Sequence, residues 1–346
     1  MKARLFCLAL ASLLPCDADA QEIKLRAALQ VTAADPYVGA SLLRFKGEVE
    51  KRTEKAVSVE IFDKGKPFAD NQILEAVASG AVEMGVAGFH YIAAKLPAVD
   101  IIQQPFLFNF EALIRAAASP DSEVRRLIDK AVLDTIGVRV LWWQSAGNQV
   151  FFSKGRDLAE PHQMKDQKVR VFSETMARFT QHCGGRPTIL AAGKTHDALK
   201  DSTIDMAMGA IPLVTNRKLW EVSDTITLTA HAPIEYVLIV NEKTWQALSP
   251  SHKTVITEAA KNAERKIRDD VAEIEAKTLA FARQKGMKIQ ELAPDQVAEW
   301  RVCSADVLDE YMRKNANLGS HLMAAYGRLR TDPCCSSGPP GAFHRR

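Results

Sequence analysis

The chain carries several fragments of reactive patterns, each of which can be checked against the chemistry it would need. Gly193-Lys194-Thr195 ends as a phosphate-binding loop ends, but the loop's leading glycine belongs at position 188, which is Thr188, so no glycine cradle can wrap a phosphate. His182 and Cys183 would pair an imidazole with a thiol, yet neighbours on one helix point to different faces and cannot pass a proton directly. His90, His196 and His231 lack metal-ligand spacing, and the G-x-S-x-G, H-E-x-x-H and G-x-G-x-x-G patterns are absent. No metal and no cofactor is therefore expected. The remaining catalytic option is dispersed, with Asp35, His90 and His231 converging from distant positions in an exported enzyme.

Of the 346 residues, 47% are hydrophobic, 25% charged and 7% aromatic, an ordinary globular composition with length enough for two domains. Lys plus Arg total 45 against 42 for Asp plus Glu, and a net charge of +3 offers no strong field to nucleic acid or anionic lipid. Lys2 and Arg4, the apolar stretch Leu5 to Leu14 and Ala18-Asp19-Ala20 read as the charged, apolar and cleavage parts of a secretory signal over residues 1–20. Cleavage after Ala20 removes two charges of each sign, Lys2, Arg4, Asp17 and Asp19, and the mature chain is expected in the periplasm. Lipid attachment at Cys16 is the alternative, and Pro15 beside it argues against that. Of the six cysteines, Cys7 and Cys16 leave with the signal, and Cys183, Cys303, Cys334 and Cys335 show no disulfide or zinc framework. The Ser-, Gly- and Pro-rich residues 331–346 are expected to form a disordered tail.

The elements that must position any site alternate between two periods. Ile23 to Leu29 and Val57 to Phe62 read as strands around an amphipathic helix from Tyr37 to Arg52, with Leu42, Leu43, Phe45 and Val49 inward. A helix from Asn71 stops at Gly80 before the apolar strand Met84 to Ala87. Gly137 to Trp143 and Gln149 to Ser153 read as two strands, separated by the polar break Ser145 to Asn148. A second alternating block follows: strand Lys168 to Val171, helix Glu174 to Cys183, strand Thr188 to Leu190, helix Thr195 to Lys200 and strand Ile204 to Met208. Ser249-Pro250 opens a charged helix expected to run to about Gln284, before Gly286. The pattern predicts two α/β domains with a long helix bracing both.

Taken in order, several local runs resemble the solute-binding proteins of TRAP transporters, the DctP-type family of exported organic-acid receptors. Asp35-Pro36-Tyr37 is similar to the family's opening H-P-Y, Gln72 to Gly80 to its E-x-x-x-G helix, and Gln104-Pro105-Phe106-Leu107-Phe108 to its L-P-F-L-F. Lys168-Val169-Arg170-Val171, preceded by Leu158 and Met164-Lys165, resembles the strand that carries the family's ligand-binding arginine, which falls on Arg170. Cys183-Gly184-Gly185-Arg186-Pro187 is similar to its L-G-A-x-P turn, Ala198-Leu199 with Ile204-Asp205 to A-L-x-x-G-x-V-D-G, and Leu219-Trp220-Glu221-Val222 to F-Y-E-V. The resemblance implies a two-domain periplasmic-binding-protein-like fold, type II-like, with hinge strands. It places residues 21–145 and about 235–275 in the first domain, and 146–234 and about 276–330 in the second.

It further implies a monomeric receptor that closes on an organic acid, delivers it to TRAP membrane subunits and performs no covalent step; an orphan receptor serving a sensor is the neighbouring option. Arg170 suits such a role, since a guanidinium presents paired donors in one plane to the two oxygens of a carboxylate. The sequence also departs from the pattern. Asn148 stands where a second ligand-facing arginine often lies, Met206-Ala207-Met208-Gly209-Ala210 replaces a polar run, and Lys194 and His196 replace an acidic and an aromatic residue. One arginine beside neutral Asn148 and apolar Met208 points to an apolar or aromatic monocarboxylate, with Phe89, Trp143 and Phe172 as walls. His90, at the carboxyl end of a buried strand where open α/β sheets bind ligands, joins Phe89, Tyr37 and Gly209 in the candidate set.

Overall fold

Two sheets form wherever the period-2 apolar runs recur, and helices of period 3.6 cover them. A computed structural model describes residues 22–332 and Cys335. The expected signal segment lies outside these residues, as does the expected tail apart from Thr331, Asp332 and Cys335. The first sheet runs β2 (Val57–Phe62), β1 (Ile23–Ala28), β3 (Met84–Gly88), β9 (Pro233–Asn241), β4 (Val138–Ser153). Its first three strands are parallel, β9 is antiparallel to both β3 and β4, and apolar cores cover both of its faces. The second sheet runs β6 (Arg186–Ile189), β5 (Lys168–Val171), β7 (Met206–Ala210), β4, β8 (Thr225–Leu228), β10 (Lys288–Glu291), again with a core on each face.

Strand β4 belongs to both sheets. Its residues up to Asn148 pair with β9, and Gln149–Ser153 pair with β7 and β8. The polar run Ser145 to Asn148, expected to separate two strands, is a bulge within one: Gly147 takes φ +88 and the register shifts there while the strand continues. The helix Val38–Arg52 buries Leu42, Phe45 and Val49 but leaves Leu43 44% exposed, because one residue's step of about 100° turns it away from that face.

The long helix spans Pro250–Gln284, with Ser249 accepting the His252 N–H at 3.2 Å and Gly286 at φ +85 beyond its end. Ile256, Ala259, Ala260, Ala263, Ile267 and Val271 pack into the first lobe, and Leu279 and Ala282 into the second. Buried charges fix its register: Arg268 donates to Glu235 on β9 at 2.7 Å, and Glu264 accepts from Arg125 at 2.7 Å. Two groups this deeply buried persist only because each pairs the other.

Beyond β10 the helix Pro294–Cys303 sends Val297 and Trp300 into the second lobe, and Cys303 is disulfide-bonded to Cys183 at a Cα separation of 5.1 Å. The sequence shows no such framework, since 120 residues separate the partners. Residues up to about 330 were assigned to the second domain, yet the chain returns to the first. Tyr311 donates to the Ala98 carbonyl at 2.5 Å, Leu322 and Ala325 join the first core, and Tyr326 packs edge-on against Phe108 at 5.1 Å. An apolar face on the helix Leu318–Thr331 has more surface to cover there. Cys335, expected in a disordered tail, is buried in that same core, and Thr331 ends the helix.

Candidate functional site

The two lobes face each other across a cleft floored by β4 and β9 and enclosing about 770 Å³ of space, part of it continuous with solvent. Arg170 on β5 lines it, 2% exposed. Nε donates to the Leu190 carbonyl and Nη1 to the Met208 carbonyl, both at 2.8 Å, and the guanidinium lies 5.5 Å from the Phe172 ring. Two backbone carbonyls thus hold two of its three nitrogens. Among the described residues no carboxylate forms an ion pair with it. Burial lowers its pKa to about 10, opposed by the nearby Tyr236, Tyr91 and Asp70, so it is a cation at neutral pH. Gly209 keeps its surroundings clear: a Cβ there would stand 2.3 Å from Leu213 Cδ1.

The first lobe supplies most of the polar groups. Gln30 follows β1 and is 9% exposed, its amide beside the Tyr236 hydroxyl and without a well-formed hydrogen bond among the described residues. Tyr37 holds its hydroxyl buried and likewise unmatched, and burial pushes its pKa up, as do the Glu275 and Asp35 carboxylates. Asp70 accepts from Tyr91 Oη at 3.0 Å through Oδ2, while Oδ1 is buried and unmatched. Burial raises the Asp70 pKa against the pull of the Tyr91 hydrogen bond, Arg217 and Arg170. His90 packs 5.2 Å from Phe172 of the other lobe, and burial, then Arg170, lowers its pKa to about 3, leaving a neutral imidazole. Gly88 makes room for this imidazole, since a Cβ there would stand 2.3 Å from His90 Cε1.

Asp35 joins the lobes. Its Oδ1 accepts the Tyr37, Val38 and Gly39 N–H groups at 3.1, 2.7 and 3.4 Å, capping the helix that begins there. Its Oδ2 accepts from Asn216 Nδ2 at 2.6 Å, across the cleft. Thr175 of the second lobe also hydrogen-bonds Asp100 of the first.

Of the residues singled out from sequence, Arg170, His90, Tyr37, Phe172 and Gly209 line the cleft. Phe89, Trp143, Met208 and Asn148 are not brought to it. Phe89 packs edge-on against Trp143 at 4.7 Å, and Trp143 Nε1 donates to Asp129 at 2.8 Å, so both complete the first lobe's core. Met208 buries its side chain in the second core and serves Arg170 through its carbonyl. Asn148 donates its N–H to Glu275 at 3.2 Å. Gln30, Asp70, Tyr91, Asn216, Arg217 and Tyr236 also line the cleft and were not anticipated. Gln30 had a signal, since it follows a strand's carboxyl end as His90 does.

The dispersed catalytic set does not assemble. Asp35 and His90 reach the cleft, whereas His231 lies between Phe179 and Phe151 at 4.8 and 5.3 Å, bonded to Thr229 and Gln149. Cys183 is in the disulfide, and His182 pairs with Glu310 at 2.9 Å. Among the described residues no group of His, Cys, Asp and Glu could hold a metal ion, and no helix is long and apolar enough to cross a membrane.

A two-lobed mixed α/β fold with a buried cation at the closure line defines a ligand-clamping receptor. Residues 28–315 match the profile of DctP, the bacterial extracellular solute-binding protein family 7, and the chain belongs to that family. It is 24% identical over 289 residues to a solute-binding protein of Chromohalobacter salexigens, covering 82% of this chain and 83% of that one. It is also 24% identical over 301 residues to the C4-dicarboxylate-binding periplasmic protein DctP of Rhodobacter capsulatus, covering 85% and 87%. A TRAP periplasmic solute-binding protein from Sulfitobacter with bound β-D-galacturonate superposes with a TM-score of 0.82 at 21% identity, over 88% of this chain and 99% of the other. At that identity the likeness speaks for the fold. Family membership makes the chain an exported TRAP-type solute receptor.

Proposed function

We propose that this receptor captures an organic acid by its carboxylate on Arg170, holds it between closed lobes in the periplasm, and delivers it unchanged to the membrane subunits of a TRAP transporter. The carrying observation is Arg170 itself: 2% exposed, held through Nε and Nη1 by two carbonyls, and without an ion-pair partner among the described residues. A buried charge persists only when something of opposite sign compensates it, and a carboxylate suits the planar donor array. Contacts from both lobes to one ligand favour the closed arrangement by the difference they make between states. Binding, closure and release need no general base, in keeping with a neutral His90 and an Asp35 committed to a helix start and Asn216.

The test is calorimetric titration of the purified protein and its Arg170→Met variant with a panel of carboxylic acids, each beside its primary amide. At least one acid is expected to bind, its amide at least 100-fold more weakly, and the variant to lose that acid while keeping its ligand-free Tm within a few degrees. An amide that binds as well as its acid, or a folded variant that keeps full affinity, overturns the role of Arg170.

A further inference from the structure

The lobes also meet through contacts that the protein makes with itself. Asn216 Nδ2 of the second lobe donates to Asp35 Oδ2 of the first at 2.6 Å, Thr175 donates to Asp100, and the His90 and Phe172 rings lie 5.2 Å apart. Of the two hydrogen-bonded pairs, Asp35–Asn216 has both members on the cleft wall.

Its first-lobe half is fixed in place. Asp35 is 2% exposed, and the three N–H groups that Oδ1 accepts hold the carboxylate at the start of the helix Val38–Arg52. The loop before it is folded tightly against that helix: the Ala33 N–H donates to Asp63 at 2.9 Å, and a Cβ on Gly39 would stand 2.5 Å from the Thr32 and Ala33 carbonyl oxygens. Oδ2 is left as a preformed acceptor for the other lobe. The second-lobe half is tied to the ligand anchor. Asn216 ends the short helix Leu213–Asn216 that follows β7, its N–H bonded to the Pro212 carbonyl at 2.9 Å. Leu213, at the other end of that helix, fills the space over Gly209, and the neighbouring Met208 carbonyl holds Arg170. Parting the lobes would break the Asp35–Asn216 bond, whereas the bonds that fix each partner lie within one lobe and persist.

We propose that Asp35 and Asn216 form a closure clasp, a hydrogen bond between lobes that biases the receptor toward its closed arrangement before any acid is bound. The clasp rests on the two-lobed receptor fold and not on the carboxylate role of Arg170. A preformed acceptor loses little freedom when its bond forms, and a bond to a carboxylate is stronger than one between neutral groups. The pair therefore acts on the opening equilibrium of the empty protein, and adds the same increment to the hold on every ligand. A residue that only touched a ligand would leave the empty protein unchanged.

The experiment is small-angle X-ray scattering of the purified protein, dialysed free of bound acid and fitted as a mixture of open and closed lobes. It compares the unmodified chain with Asn216→Ala, Asn216→Asp and the swap Asp35→Asn/Asn216→Asp. Asn216→Ala is expected to raise the open-to-closed ratio about tenfold, the weight of one hydrogen bond to a carboxylate. Asn216→Asp sets two carboxylates face to face and is expected to raise it further. The swap restores a donor opposite an acceptor, and asparagine starts a helix as well as aspartate does, so the ratio is expected to return to within about threefold of the unmodified protein. Circular dichroism and Tm check that each variant is folded. Scattering of both Asn216 variants that superposes on the unmodified curve overturns the clasp, and so does a folded swap as open as Asn216→Asp. Should the swap not fold, Asn216→Ala, a truncation at the half-buried end of a four-residue helix, decides alone. No acid enters these measurements, so failure of the Arg170 anchor leaves the clasp standing, and failure of the clasp leaves the anchor.

Discussion

Gln30 shows what a binding position demands of a residue. Its amide is held 9% exposed beside the Tyr236 hydroxyl without a well-formed hydrogen bond, an arrangement that weakens the ligand-free fold. Gln30→Leu is therefore expected to raise the ligand-free Tm by a few degrees, since about 1 kcal/mol moves a chain of this size by roughly 2–4 °C. The same change should weaken the bound acid at least tenfold, and scanning fluorimetry with calorimetry reads both; a lowered Tm with unchanged affinity would assign Gln30 to packing instead. Arg170 was legible in the sequence because its motif and its chemistry coincide. Asp70 and Arg217 were not, since each is an ordinary polar residue near a helix end until folding brings the two lobes together. Phe89 and Trp143 misled for the opposite reason: large aromatic rings satisfy a core as readily as a ligand, and here they pack on each other.

At the scale of elements, the bulge in β4 sets how the lobes meet. Gly147 sits at φ +88 with its missing Cβ position 2.0 Å from Glu275 Oε1 on the long helix, so neither the backbone nor the space admits a side chain. Gly147→Ala is expected to lower stability by about 1–2 kcal/mol through the left-handed backbone alone, with the steric conflict added. Combining it with Glu275→Ala should return the steric part and leave the backbone part, a non-additivity that a double-mutant cycle on denaturant midpoints measures. Purely additive effects would place the two residues out of contact. The sequence could not distinguish this bulge from a break, because Ser, Gly and Asn serve both. The strands and helices read from the sequence mostly lie within a residue or two of their places, since periodicity is local, whereas β8 to β10, the helices between residues 89 and 136 and those after 294 were not read. The Cys183–Cys303 link was not, because it joins two helices that approach only in the folded chain.

For the molecule as a whole, stability and closure share titrating groups. Asp100 is buried, holds Thr175 of the opposite lobe, and has its pKa raised by burial from 3.8 to about 7. The folded state thus binds its proton more tightly than the unfolded chain, so the stability this group contributes is present below pH 4 and is lost as pH rises through about 7. Asp100→Asn should remove that component: melting temperatures from pH 5 to pH 8 should fall less steeply in the variant, and an unchanged slope would show that Asp100 does not carry it. The buried His231, lowered to about 3, acts oppositely: it stays neutral in the fold while the unfolded chain binds a proton below 6.5, so its contribution to stability falls as pH drops from 6.5 towards about 3. The least legible feature was the path of the chain between lobes. It passes from first to second within β4, returns between β8 and β9, crosses again along the long helix and comes back between Cys303 and Tyr311. Those four passages mean that neither lobe is an exchangeable cassette: grafting one from a relative would need four simultaneous junctions, each inside a packed or paired segment. With the lobes interwoven in this way, a change of cargo is open to substitution of single cleft side chains rather than to exchange of a lobe.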